Sequence, residues 1–436
     1  MTLSRIADTL TARNTNMRTE VLGGVTTFAT MAYIIIVNPG ILSDAMGSHL
    51  FGALVVATCL SAAVATALMG WWANYPIALA PGMGLNAYFA YSVVIGQGIP
   101  WPVALGAVFI SGLLFIALAA LNFQELFVSS IPSSIRYGTA AGIGVFIAFI
   151  GLQNSGVVVS SGATLVTAGD VTSPEVLLTI AGIVLIAALR VWKVRGDILI
   201  GILGTAAVGM LFGVTPLPDR ILAAPEWPKE LVGVGLFNLG DAIGLGLVTI
   251  VVTFLFVDLF DTTGTLTGVG GAAGFLDENG RLPNAKRAFL ADGVGTSFGA
   301  VMGTSTVTSY VESASGISEG ARTGWANYVT ALLFLLAIPF YPTAKAIPGY
   351  ATAPALVIVG VLMCSQMRHV AWDDFAHAVP AVVVMIGIPL TYSIAEGLAL
   401  AFVVYPLIMF MSGRRREVHW FGWVLLVLVV LRYILL

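Results

Sequence analysis

The chain has 436 residues, 58% of them hydrophobic and 9% charged, with a formal net charge of −3. Soluble domains carry about 25% charged residues, so this composition excludes an ordinary soluble enzyme and points to a protein solvated largely by lipid. The small net charge and the lack of a basic tract exclude a nucleic-acid partner. The two cysteines, Cys59 and Cys364, lie in apolar stretches and are too few to build a metal site.

Residues 1–18 are polar and lack a short apolar core followed by a small-residue cleavage site, so no cleaved signal peptide is expected. A spanning helix needs about 20 mostly apolar residues. Taken in chain order, spans are predicted to begin near Thr19, Phe51, Tyr75, Trp101, Arg136, Glu175 and Asp197, filling a first repeat over 19–214. A polar stretch, 215–240, separates them from a second set over 241–412. Those spans begin near Asp241, Ala288, Thr304, Thr323, Thr352, Phe375 and Glu396, and an apolar run within 413–436 (Trp420–Leu436) closes the chain. The expected architecture is an all-α polytopic membrane protein of 7+7 segments. Because seven is odd, the second repeat enters the membrane inverted, as in transporters built from inverted repeats. Arg5, Arg13, Arg18, Arg136, Arg190, Lys193, Arg195, Arg281, Lys286, Arg287, Arg322, Arg368 and Arg414 to Arg416 fall on one side of this map. Arg220, Lys229 and Lys345 fall on the other. The bias places the N-terminus in the cytoplasm and the 215–240 linker outside. The forty-nine glycines suit a bundle whose helices approach closely.

Two spans cannot be regular helices. In Asn74–Tyr88, Pro76 and Pro81 each remove a backbone donor, and Gly82 and Gly84 loosen the chain, so an extended stretch to about Gly82 followed by a short helix is predicted. In Gly303–Gly316, the Thr, Ser and Val run favours an extended form before another short helix. Irregular backbone at membrane depth is tolerated only when buried in protein or lining a cavity. Matching interruptions in the two halves mark a substrate site near the bilayer midplane, with half-helix N-termini presenting free N–H groups.

Acids sharpen that placement. Asp258 and Asp261 sit in an apolar helix, where an acid near mid-bilayer is disfavoured by about 2.5–3.5 kcal/mol on insertion scales and so marks function. Three residues apart, they share a helical face. Asn86 and Glu312 fall in the interrupted spans. Each polar residue also has a structural reading. Asp261 before Thr262–Thr263–Gly264 could cap a helix break, Asn86 could bond a helix end, and Glu396 at a segment start suits the helix dipole. The four histidines fall near predicted span ends.

The stretches Ala80–Phe89, Phe256–Leu266 and Gly303–Ser313 resemble those of the AzgA-like purine permeases, a branch of the nucleobase–ascorbate and xanthine–uracil permease superfamily. The resemblance runs from about Arg18 to Ser412. It implies fourteen segments in a core domain (19–122 plus 241–341) and a gate domain (131–214 plus 348–412), with the core moving against the gate in an elevator-type cycle. It also implies proton-coupled import of hypoxanthine, guanine or adenine through a bacterial inner membrane, as a homodimer in the lipid bilayer and with no cofactor beyond the coupling proton. Carried over by motif, Asp258 and Glu312 bind the base, and Asn86 and Asp261 complete the site. Gly84, Phe260, Thr262, Ser309 and Tyr310, in the same stretches, are secondary candidates. Thr262 stands where the uracil branch has a histidine, and Ser313–Gly316 departs from the Asn-x-Gly pattern of the xanthine and uracil branches.

The chemistry agrees with a flat, neutral cargo edged with N–H donors. A carboxylate accepts two adjacent N–H bonds, an amide reads a mixed edge, and Phe260, Tyr88 or Phe89 offers a stacking face. Asp261, Glu312 or Asp258 is a candidate to carry the proton. The chief alternative is the same architecture with another cargo: uracil, xanthine or urate, or a small anion, the last disfavoured by an acidic site. Asp261–Thr265 resembles a P-type ATPase phosphorylation motif, but no segment is long enough for a nucleotide domain. An intramembrane aspartyl protease would need Gly-x-Gly-Asp, and Asp292 follows Leu290–Ala291. The glycine-rich run Gly268–Gly274 follows no predicted strand, so helix packing explains it better than nucleotide binding.

Overall fold

The computed structural model describes residues 10–11, 13–123, 131–244, 247–278 and 282–435. Arg5 and Arg281, counted in the charge map above, lie outside these residues. Among the described residues, nine helices are long and apolar enough to cross a membrane, and four shorter apolar helices accompany them. The chain divides into two compact units, Met1–Asn122 with Asp170–Ala355, and Phe123–Gly169 with Leu356–Leu436.

In the first unit, α1 (Met17–Met31) starts on Asn16, whose side chain accepts the Thr19 N–H at 3.0 Å and satisfies an otherwise orphaned donor. The chain kinks at Ala32–Tyr33 and continues as α2 (Ile34–Met46), which tolerates Pro39 in its interior. Then follow α3 (Phe51–Trp72), β1 (Leu79–Pro81), α4 (Met83–Ala87), wide helical turns to Gly96, and α5 (Trp101–Ala120). Beyond the second unit's first part, which holds α6 (Ser133–Asn154), β2 (Val158–Ser161) and β3 (Leu165–Ala168), come α7 (Pro174–Val191) and α8 (Asp197–Leu211). The linker ends in short helices at Val234–Phe237 and Leu239–Gly244. The span predicted from near Asp241 is therefore divided, and its long helix, α9, runs Val248–Ala272. After it come α10 (Ala285–Met302), β4 (Val307–Ser309), α11 (Ser313–Ser318) and α12 (Trp325–Ala337).

Both interrupted spans take the predicted form, strand then short helix. The strands pair antiparallel, with Leu79 opposite Ser309, Ala80 opposite Thr308 and Pro81 opposite Val307. A buried two-stranded ribbon leaves outer backbone groups that need partners. The Thr66 hydroxyl accepts the Leu79 N–H at 2.9 Å and donates to the Leu79 carbonyl at 2.8 Å. The Asn327 amide donates to the Tyr75 and Ile77 carbonyls, each at 2.9 Å. Glu20, fully buried, accepts the N–H groups of Arg322 and Thr323 at 2.9 and 3.3 Å, and so fastens α1 to the loop after α11. Glycines set the helix spacing: a Cβ on Gly324 would lie 2.2 Å from the Gly70 carbonyl oxygen.

The second unit contains α6, the β2–β3 hairpin, the end of α13 (Gly349–Cys364), α14 (Phe375–Thr391), α15 (Ile394–Met411) and α16 (Trp420–Leu435). The hairpin, with Val158 opposite Ala168, is an addition to the expected all-helical plan. At one end of this unit Arg414 bonds Asp374, the N-cap of α14, at 2.7 Å and also Glu417 at 2.7 Å. Those hydrogen bonds hold the carboxyls of Asp374 and Glu417 below the usual carboxylate range. Glu396 lies in the first turn of α15, as the dipole reading expects, and also accepts a bond from Tyr433 of α16.

Candidate functional site

The ribbon places the chemistry. Thr308, on β4, packs against Gly82, where a Cβ would come within 2.7 Å of its methyl group. Gly303 turns the chain into β4 with φ of +91°, and a Cβ there would sit 2.3 Å from that of Leu231. The positive φ makes glycine the fitting residue at 303, while a Cβ at 82 would push Thr308 aside. Asn86 sits on α4, fully buried, with its Oδ1 accepting the Ser305 hydroxyl at 2.6 Å.

α9 runs unbroken through Asp258 and Asp261, so Asp261 caps no break. Thr263 turns its hydroxyl back to the Leu259 carbonyl at 2.5 Å within the helix. Asp258 is fully buried, and its Oδ2 accepts the Thr296 hydroxyl from α10 at 3.0 Å. Thr296 is itself set by Val307 of β4, whose N–H it accepts at 3.2 Å and whose carbonyl lies 2.8 Å away. The Thr308 hydroxyl lies against both Asp258 and Asp261. Asp261 is open on one side, and Glu312 stands near enough to repel it. Glu312 is half-buried at the start of α11 and accepts the Tyr33 hydroxyl at 2.7 Å. The structure thus gathers Asn86, Asp258, Asp261 and Glu312 around one ribbon, from three different segments.

Asn86 Nδ2 and Asp258 Oδ1 are buried with no hydrogen-bond partner among the described residues. Buried polar groups are nearly always bonded, and leaving one unmade costs about 1–3 kcal/mol. A donor and an acceptor held without partners beside the same ribbon suit a ligand edge that carries both kinds of group.

A family model described as a permease family, the xanthine–uracil permease model, matches residues 18–429. The chain belongs to that family. A permease of Methanocaldococcus jannaschii is 52% identical over 422 residues, 97% of this chain and 96% of its own length. The guanine/hypoxanthine permease PbuG of Bacillus subtilis is 46% identical, covering 97% of both chains. The adenine permease AdeP of Escherichia coli is 42% identical, over 94% of this chain and 91% of its own. Among solved structures, the transmembrane domain of the cyanobacterial bicarbonate transporter BicA superposes with a TM-score of 0.65 at 18% identity, over 88% of this chain and 96% of that one. That likeness is one of fold.

The permease departs from the sequence reading in several details. Tyr88 and Phe89 are wholly enclosed, Tyr88 lying edge-on to Phe254 at 5.1 Å, while Phe260 is half-buried and remains the more open ring. Gly84 is half-buried on α4. Tyr310 donates to the Pro81 carbonyl at 2.5 Å and so staples the two interrupted segments. Thr262 and Ser309 both donate to Asp292 Oδ2, at 2.8 and 3.0 Å. Asp292 is a fully buried acid on α10 that the motifs did not single out, and its Oδ1 has no partner among the described residues. Its signal in the sequence was the one that marked Asp258: an acid inside an apolar stretch.

Proposed function

We propose that this permease imports purine nucleobases such as hypoxanthine, guanine or adenine, as a proton symporter working by alternating access. The observation that carries the reading is the buried, unpartnered pair of Asn86 Nδ2 and Asp258 Oδ1 beside the β1–β4 ribbon, with Glu312 and Asp261 close by. A purine edge alternates N–H donors with ring-nitrogen and carbonyl acceptors, and satisfies both kinds of group. An acidic lining favours a neutral, N–H-rich cargo over an anion. Relatives 46% and 42% identical across nearly the whole chain are named for guanine/hypoxanthine and adenine, which supports the same class here. Asp258 holds the base, and Asp261 or Glu312 takes up the coupling proton. The protein works from the bacterial inner membrane as a fourteen-segment homodimer with its N-terminus in the cytoplasm, moving the site between the two sides by an elevator-type motion of core against gate.

The test is uptake of labelled hypoxanthine, guanine, adenine, xanthine and uracil by a strain lacking its own base permeases, with and without a protonophore. Purine uptake that collapses with the protonophore is expected. Uptake of uracil or xanthine alone, or purine uptake indifferent to the protonophore, would contradict the cargo or the coupling respectively.

A further inference from the structure

Tyr33 lies in none of the motifs that marked the site. It sits at the kink between α1 and α2, is 1% exposed, and reaches across to α11, where its hydroxyl donates to Glu312 Oε1 at 2.7 Å. One helical turn earlier, the Thr30 hydroxyl lies 3.4 Å from the Glu312 carbonyl oxygen. The Thr30 proton has nearer acceptors in its own helix, the Thr27 carbonyl at 2.9 Å among them, so the first segment holds residue 312 through the Tyr33 bond to its side chain. Tyr310, Asp261, and the Arg190–Asp197 pair, bonded at 2.6 and 3.2 Å, complete the charged and titratable surroundings of Glu312.

A carboxylate presents two oxygens side by side, and two parallel N–H donors fit both at once. A phenol already bonded to Oε1 takes one of that oxygen's two lone pairs and so weakens it as an acceptor for the second donor. We propose that Tyr33 is a specificity-determining positioning residue: by occupying Oε1 it makes Glu312 read a single N–H of the base. This rests on the purine reading above, since it concerns which edge of the base Glu312 meets. Guanine carries a ring N–H beside an exocyclic amine, whereas hypoxanthine carries the ring N–H alone. Tyr33 thus removes the advantage that guanine's paired donors would otherwise have, and keeps the two bases nearly equivalent at this acid.

The experiment is KM and Vmax for hypoxanthine and guanine in proteoliposomes containing the wild type, Tyr33→Phe or Tyr33→His. The ratio of guanine KM to hypoxanthine KM should fall at least about ten-fold in Tyr33→Phe, the size of one hydrogen bond to a charged group, with little change in Vmax. It should stay near the wild-type value in Tyr33→His, which keeps a donor. An unchanged ratio in Tyr33→Phe, or parallel loss for both bases, overturns the proposal. Should Tyr33→Phe not fold, the wild type decides. A guanine doubly methylated on its exocyclic nitrogen should keep a KM within about three-fold of guanine's, and a rise beyond about ten-fold contradicts the single N–H reading. Absence of any purine uptake by the wild type would instead refute the functional reading on which this one stands.

Discussion

At the scale of residues, the site is a set of acids kept in place by hydroxyls. Thr296 positions Asp258, Thr262 and Ser309 hold Asp292, Tyr33 holds Glu312, and Thr308 stands between Asp258 and Asp261. Asp261 differs from Asp258 in being open on one side, which suits an acid that exchanges a proton. Asp261→Asn keeps the shape and removes the ionisable group, so substrate-driven proton uptake in liposomes should disappear while hypoxanthine binding persists within about ten-fold. Full retention of coupling would remove Asp261 as the carrier and leave Glu312. Asp258 stood out in the sequence as an acid in an apolar helix, and Glu312 by its place in an interrupted span and by the motif it shares with the family. Tyr33 was not, because a tyrosine in a membrane segment is ordinary until its partner, 279 positions away, is known.

At the scale of elements, the decisive structure is the ribbon. Its strands were readable from Pro76, Pro81 and the Thr–Ser–Val run, since each disfavours helix locally. Their pairing and register were not, because strands 3 residues long carry no pattern that selects a partner more than two hundred positions away. The β2–β3 hairpin escaped notice for a related reason: Val158–Ser161 and Leu165–Ala168 are only four residues each and largely exposed, so no apolar alternation marks them as strands. The half-helix after β4 depends on Gly316, where a Cβ would lie 2.4 Å from the Gly23 carbonyl oxygen of α1. Gly316→Val should push α11 off α1. Overpacking of this kind costs about 1–3 kcal/mol, so a lower melting temperature and weaker hypoxanthine binding are expected together. Unchanged stability would mean that α11 is free to shift.

In the second unit, the fastening of α14 to the segment after α15 is electrostatic. Arg414 holds Asp374 and Glu417 below the usual carboxylate range, so both pairs stabilise the fold above that range, and the contribution is lost as pH falls through the depressed values. Arg414→Gln should therefore be less stable than the wild type at neutral pH. The gap in melting temperature should narrow once pH drops below about 4, where the carboxyls take up protons in both proteins. A gap that does not depend on pH would show that Arg414 acts through packing alone.

At the scale of the whole molecule, the chain is a member of the xanthine–uracil permease family, and its transmembrane likeness to a bicarbonate transporter shows how far one fold extends across cargoes. Cargo is thus decided at the site and not by the architecture. Most helices begin close to where hydropathy put the starts of the spans. The exception is the span expected from near Asp241, which divides into Leu239–Gly244 and a helix starting at Val248, in a stretch with two glycines between Asp241 and Leu247 that a hydropathy window averages away. The proposed function requires a purine held between Asn86 and Asp258. Equilibrium binding of labelled hypoxanthine to the purified protein tests it most directly, with guanine, adenine, uracil and bicarbonate as competitors and Asp258→Asn as the comparison. One saturable site, displaced by guanine or adenine and lost in Asp258→Asn, is the expected result; binding that survives in Asp258→Asn, or that uracil or bicarbonate displaces while purines do not, would contradict it.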